Sequence, residues 1–444
     1  MPVSKKRKKK KSRSSGRASG SYRSQAPAVP APVQGDREVA QAFQSFTAYR
    51  DRVNTQRVAR AEAIATELVA DLAREVAERP GMIVTDALCE RLGTLLDEDQ
   101  QSGPDERIGP HHLAEAMPAA AEAAVTAALT ATTGQAEAWT APWRVLTALT
   151  SVLPYPLPEV VSETIIRLYE LPTGRALPAA PAGPEMVGPA LWTSDRYGSR
   201  FAVTAAISAA DEPMRWYLWD IDACGHEAFT VHSGYYPSSE AALAAWQTGV
   251  GQTASAGTVL TPADDRWLLA PLLPAEMGVI RPGGEGVDQL AEYHRSKRLA
   301  EVVGQATPRP DARPETDRTT ATAAVEFAAW LRARIPEQHE PPEDLSELVA
   351  ELVDSWNLNG IDAVFATCSP HRVALCVLHM RNYYLDEDAE QLVALLPEWT
   401  RWLAERNATA PELADRCLPY AHGHPHPQVG ADDYKIDYLA RVIE

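Results

Sequence analysis

Outside one short segment, the sequence is almost without lysine. Of eight lysines in 444 residues, six are Lys5, Lys6, Lys8, Lys9, Lys10 and Lys11, and only Lys297 and Lys435 lie elsewhere. Cysteine is also scarce. Cys89, Cys224, Cys368, Cys376 and Cys417 are odd in number and widely spread, which argues against a disulfide framework and for reduced thiols. No run of about 18 apolar residues occurs, so no membrane span is expected. The Ala-rich stretch 118–131 is too short and too weakly apolar to qualify. The basic opening is not followed by an apolar stretch, so it does not read as a secretory signal. These absences together point to a cytoplasmic protein without a membrane partner.

Catalytic signatures are missing too. There is no G-x-S-x-G elbow, no H-E-x-x-H and no Rossmann fingerprint. Gly283, Gly284 and Gly286 loosely suggest a phosphate cradle, but no Lys-Ser/Thr follows and Glu285 would repel phosphate. No catalytic residue and no cofactor is indicated by motif.

What is present is a sharp division of charge. The formal net charge is −18, yet residues 1–35 carry ten Lys/Arg and no Asp or Glu, which leaves −28 for residues 36–444. Eight of the nine residues from Lys5 to Arg13 are cationic: Lys5, Lys6, Arg7, Lys8, Lys9, Lys10, Lys11 and Arg13. Such a cluster fits electrostatic contact with the phosphates of nucleic acid or a ribosome. Tyr22 is the one aromatic in residues 1–35, so base stacking is not its mode. With so few large apolar groups, residues 1–35 cannot offset the entropy of ordering and are expected to be disordered.

Hydrophobic periodicity then predicts a mainly α, multi-domain protein with a small β-β-β-α central domain. A long helix from Asp36 carries Val39, Phe43, Phe46, Val53, Ala61, Ala65, Leu68 and Leu72 on one stripe and ends at Pro80-Gly81. Further helices fit 84–97, 109–131, 137–152 and 158–170, completing a helical domain over 36–171. Residues 172–188 read as a Pro/Ala linker. The domain at 189–304 begins with the β-rich runs "RFAVTAAIS", "MRWYLWDID" and "EAFTVHSGYY". A helix capped by Ser238 or Ser239 follows, with helices at 262–273 and 286–303. Thr261-Pro262 resembles a helix start. After a linker at 305–318, the C-terminal domain 319–444 has candidate helices at 320–334, 342–357, 370–382, 386–406, 410–418 and 431–442, with Pro397 a candidate break in the fourth.

Three clusters could carry chemistry. "YAHGHPHPQ" places His422, His424 and His426 at alternate positions, where an extended chain would point them the same way toward a transition metal, with Asp432 and Asp433 nearby. The competing reading is a polar Pro/Gly loop. "WDIDACGHE" puts Asp220 and Asp222 on one strand face, with Cys224 and His226 across a turn. That pair could hold an ion or serve acid/base roles, or it could be the solvent face of a sheet whose Trp219 and Ile221 pack inward against Trp246. "CSPHRVALCVLHM" spaces Cys368, His371, Cys376 and His379 as C-x2-H-x4-C-x2-H. On one helix, however, His371 and Cys376 point about 140° apart, which favours a buried core helix. The pairs Trp139/Trp143 and Trp399/Trp402 fit either partner anchors or helix-face core.

The stretch "SPHRVALCVLHMRNYYLDEDAEQLVALLPEWTRWLAER" is similar to a helical module of uncharacterised high-GC actinobacterial proteins. There, a Ser-Pro-started helix precedes an acidic turn, then L-P-x-x-x-x-W and a helix ending in a basic residue. The matching positions are Ser369, Pro370, Leu396, Pro397, Trp402 and Arg406, about a tenth of the chain. The resemblance implies bacterial origin and a helical C-terminal domain, and carries no activity. Three functions therefore stand open. One is an interaction or adaptor protein contacting nucleic acid or ribosomes through its basic segment. The others are a metal-dependent enzyme using His422/His424/His426 or Asp220/Asp222, and a purely structural protein-binding module.

Overall fold

The computed structural model describes residues 34–103, 105–131, 138–171, 173, 177–209, 212–225, 228–254, 257–263, 269–270, 272–273, 290–308, 316–334, 345–357, 361–427 and 429. The basic segment Lys5–Arg13, the glycines 283–286, His226, Asp432, Asp433 and the helix expected at 431–442 lie outside the described residues. The chain divides into two compact units, residues 1–53 and 54–444. In the first unit the described residues belong to the opening turns of helix α1 (Gln34–Glu78), where Phe46 is exposed rather than part of a buried stripe.

Within 54–444 the protein is mainly helical, with one small antiparallel sheet. The rest of α1 packs with α2 (Val84–Gln100), α3 (Gly109–Thr130), α4 (Thr140–Val152) and α5 (Leu157–Glu170). Ala61, Ala65, Leu68 and Leu72 keep the period read from the sequence and meet Leu88, Leu92, Leu113, Leu146 and Ile165 in one core. Trp143 is buried in this core, and Trp139 packs on it half-buried.

The sheet holds β1 (Glu185–Met186), β2 (Leu191–Ser194), β3 (Arg200–Ser208), β4 (Arg215–Asp222), β5 (Phe229–Tyr236) and β6 (Thr261–Pro262). The strand order is β5-β4-β3-β2-β6, with β1 also on β3. Helix α6 (Ser239–Val250) follows β5, and its cap is Ser238, whose Oγ accepts the Ala241 N–H. Two expectations need correction. Thr261-Pro262 starts no helix but pairs with Leu191-Trp192 at the sheet edge, a position where proline's missing N–H is tolerated. The stretch expected to be linker up to 188 contains β1, whose Glu185 and Met186 pair with Ser208 and Ile207.

The sheet is covered on both faces. On one face Phe201, Val203, Tyr217, Trp219 and Ile221 pack with Leu299 and Val303 of α7 (Tyr293–Ala306). On the other, Ala202 and Leu218 pack with Ala242 and Trp246 of α6. Trp246 thus lies opposite the face of Trp219 and Ile221, contrary to expectation: alternation along β4 sends Leu218 and Trp219 to different sides.

Helix α7 joins the helical core to the sheet. Its Arg298 Nε donates to the Thr150 carbonyl of α4, and Arg295 forms ion pairs with Asp86 of α2 and with Glu292. Arg215 of β4 reaches the same Asp86 at 2.8 Å and Glu212 at 3.0 Å. The chain just before α7 approaches α2 so closely that a Cβ on Gly93 would sit 2.6 Å from the Ala291 backbone nitrogen.

The C-terminal core is built from α8 (Thr316–Arg332), α9 (Leu345–Trp356), the single turn α10 (Asp362–Phe365), α11 (Pro370–Tyr383), α12 (Asp386–Arg406) and α13 (Pro411–Ala421). Trp356, Trp399, Trp402, Phe327 and Leu396 fill it. Helix α12 runs unbroken through Pro397, which is buried between Leu396 and Trp399. Among the described residues no helix is long and apolar enough to cross a membrane.

Two outcomes test this packing. Gly93→Ala should destabilise the protein by roughly 1–3 kcal/mol in urea unfolding, because backbone rather than a movable side-chain tip blocks the new methyl. His294 of α7 is fully buried, and neither ring nitrogen has a hydrogen-bond partner among the described residues. Burial, with the nearby charges of Lys297 and His111, pushes its pKa down to about 3. The unfolded chain therefore takes up a proton near pH 6.5 that the folded state refuses. Stability from this group is complete above pH 6.5 and falls as pH drops toward 3. Between pH 7.5 and 5 the loss should be about 2 kcal/mol, at about 1.4 kcal/mol per unit below 6.5. His294→Leu should remove that part of the slope.

Candidate functional site

The C-terminal end of β4 meets the N-terminal end of α11. Strand alternation sends Leu218, Asp220 and Asp222 to the α6 side of the sheet, and both carboxylates are buried. The expected solvent face does not exist here, because α6 and α11 cover it. A buried carboxylate must be matched by charge or hydrogen bonds. Asp220 is matched by Arg200 of β3, whose Nε and Nη2 donate to Oδ1 and Oδ2 at 2.8 and 2.7 Å. This bidentate fork is well suited to arginine.

Asp222 is met differently. Its Oδ1 accepts the Cys224 N–H at 2.8 Å, and its Oδ2 lies 3.1 Å from His371 Nδ1. Burial by itself would raise the Asp222 pKa. The hydrogen bond and charge of His371, with the Cys224 amide, outweigh burial and hold it at about 2. Ser369 caps α11 by accepting the Arg372 N–H, and its Oγ lies 3.3 Å from Cys224 Sγ. Burial, reinforced by Asp222, pushes the Cys224 thiol well above its usual pKa. Arg372 is fully buried, with its guanidinium donating to the carbonyls of Ala223 and Trp356 and lying over the Trp356 ring. Burial pushes its pKa down.

The two histidine-bearing motifs therefore divide. His371 faces Asp222. Cys376, on the far side of α11, is buried with its Sγ 3.8 Å from the Ser355 carbonyl. Cys368 sits beside Cys417, whose Sγ approaches the Cys368 carbonyl at 3.4 Å. None of the five cysteines is in a disulfide. The spacing C-x2-H-x4-C-x2-H is that of a core helix in this fold.

Of the three loop histidines, His422 and His424 are exposed, while His426 is half-buried. The His426 ring stacks on His371 with centroids 5.4 Å apart and lies 4.8 Å from Tyr420. Gly423, at φ +81°, makes the turn that brings the loop back. A Cβ there would also meet Arg381 Nη2 at 2.9 Å. Among the described residues the one Asp/Cys/His/Glu group close enough to share an ion is Asp222, Cys224 and His371, with ligand atoms all within 4.8 Å of one another. Asp222 and Cys224 were legible as one motif and His371 as another. Their meeting across 149 positions left no local signal. The tryptophans Trp143, Trp399 and Trp402 are core side chains, which removes them as partner anchors.

No protein-family model, curated protein or solved structure matches the chain.

Replacing Arg200 by Met should strand the Asp220 charge in the interior and cost about 3–5 kcal/mol in urea unfolding. Adding Asp220→Leu should recover most of that loss. A single variant as stable as the parent would show that the fork carries no charge balance.

Proposed function

We propose that the protein is a cytoplasmic interaction protein that contacts polyanions, nucleic acid or ribosomal surface, through Lys5, Lys6, Arg7, Lys8, Lys9, Lys10, Lys11 and Arg13. The observation that carries this reading is the separation of charge: ten Lys/Arg without an acid in residues 1–35, against −28 over the remainder. The way the folded unit uses its own cations supports it. Arg200, Arg215, Arg295 and Arg298 are turned onto internal carboxylates, and Arg372 and Arg144 onto backbone carbonyls. Arginines committed in this way are poor phosphate ligands, which favours the basic segment as the contact. The five unpaired thiols are consistent with a reducing compartment.

The contact expected is fast, weak and salt-dependent rather than sequence-specific, because phosphate neutralisation carries no base information. Binding to duplex DNA and to RNA, measured on the full chain across a salt series, should give a log–log slope approaching about −7 if all eight cations reach phosphates. Replacing the eight by Gln should flatten the slope and lower low-salt affinity at least tenfold. Equal affinity in the two proteins overturns the reading.

A further inference from the structure

We propose that Asp222, Cys224 and His371 form a binding site for one zinc-class divalent ion, with the fourth coordination position facing solvent beside His426. The site is independent of the basic segment, and its argument starts from geometry. A tetrahedral ion bound at about 2.0–2.3 Å holds its ligand atoms roughly 3.3–3.8 Å apart. The three ligand atoms lie within 4.8 Å of one another, and the Asp222 Oδ2 and His371 Nδ1 pair is already at 3.1 Å. Binding an ion would draw the remaining ligand atoms closer than their present spread of up to 4.8 Å. The three come from two segments that the fold itself holds together, the end of β4 with its following turn and the first turn of α11.

The donor set selects the ion. One thiol sulfur, one imidazole nitrogen and one carboxylate oxygen suit zinc or cobalt, whereas magnesium and calcium require oxygen donors in larger number. The surroundings favour the ligating carboxylate of Asp222, whereas Cys224 stays a buried thiol until an ion displaces its proton. The Asp222 carboxylate meets His371 in the first turn of the 14-residue helix α11, and a helix N-terminus favours nearby anions. Arg372 is a fully buried cation with no carboxylate within ion-pair distance among the described residues, and it hydrogen-bonds the carbonyl of Ala223, between Asp222 and Cys224. A thiolate at Cys224 would supply the counter-charge it lacks. Ser369 Oγ, 3.3 Å from the sulfur, supplies an outer hydrogen bond. In the binding step the Cys224 S–H bond breaks, its proton passes to solvent, and the sulfur lone pair forms the bond to the ion, which sheds water. His371, with about a fifth of its side chain exposed, marks the way in. A water, or the His426 ring now stacked on His371, fills the remaining position.

Cobalt(II) titration of the untagged full chain, stripped with a chelator, reads the site directly. One ion per chain should bind, with a thiolate-to-cobalt charge-transfer absorption in the near ultraviolet. Cys224→Ser should abolish that absorption. His371→Ala, which changes a partly exposed side chain and is therefore the variant safest for folding, should weaken binding at least tenfold, since loss of an outer partner alone costs about 10–100-fold. The double variant His422→Ala/His424→Ala should leave the spectrum and affinity unchanged. Absence of the absorption in the folded parent overturns the proposal. So does cobalt binding that survives both Cys224→Ser and His371→Ala, or that is lost in the His422/His424 variant. An absorption that instead disappears with Cys368→Ser would place the ion at the Cys368/Cys417 pair and equally overturn it.

Discussion

A sheet covered on both faces cannot leave a carboxylate unanswered, and that constraint organises the centre of this protein. Strand β4 carries Tyr217, Trp219 and Ile221 toward α7 and Leu218, Asp220 and Asp222 toward α6. Apolar burial on both sides supplies the driving force. It also removes the water that would solvate the two aspartates, at several kcal/mol for each charge. Asp220 is answered within the sheet by the neighbouring strand through Arg200. Asp222 lies at the strand's end and is answered from outside the sheet, by His371 and the capped start of α11. The docking of the C-terminal helices against the sheet is therefore specified by a polar contact as well as by the shared apolar residues Ile361, Val364 and Phe365.

The same logic operates at the other junction. Asp86 of α2 receives both Arg215 from β4 and Arg295 from α7, while Glu212 pairs with Arg215 and Glu292 with Arg295, and Tyr235 lies beneath both guanidinium groups. Buried ion pairs of this kind add little net stability, but they penalise any arrangement that leaves a member unpaired. They also explain the choice of arginine at these positions. A lysine ammonium is a point charge that cannot serve two carboxylates and an aromatic face at once, whereas a planar guanidinium with five donors can. At these junctions the cation has a structural task that arginine can perform and lysine cannot.

Local patterning made much of this legible. The run 200–208 is β3 and 386–406 is α12, because alternation and 3.6-residue periodicity are properties of neighbouring residues. Ser238, one of the two serines the pattern offers, and Ser369 cap helices. What stayed hidden depends on partners distant in the chain. Thr261-Pro262 has the local form of a helix start, and only the free edge of β2 makes it a strand. The aspartates of β4 alternate as solvent-facing residues do, and only the later arrival of α6 and α11 buries them. His371 sits in a motif with Cys376, yet the helix turns the two apart, so its true neighbours are residues 149 and 147 positions earlier.

Arg372 shows how the two ends of this argument meet. Its guanidinium is sealed between the carbonyls of Ala223 and Trp356 and the Trp356 ring, so it fastens the turn after β4 to α9 and α11 together. Carbonyl dipoles lower the cost of burying that charge without cancelling it. The same turn presents Asp222 as an anion and Cys224 as a sulfur one deprotonation from becoming one. A structure needing only a fastening at this point could use apolar side chains at lower cost. Retaining a cation, a carboxylate, a thiol and an imidazole within one small volume makes the turn responsive to whatever changes the charge there. A divalent ion does so most directly, since it brings positive charge and draws the thiol proton away in a single event.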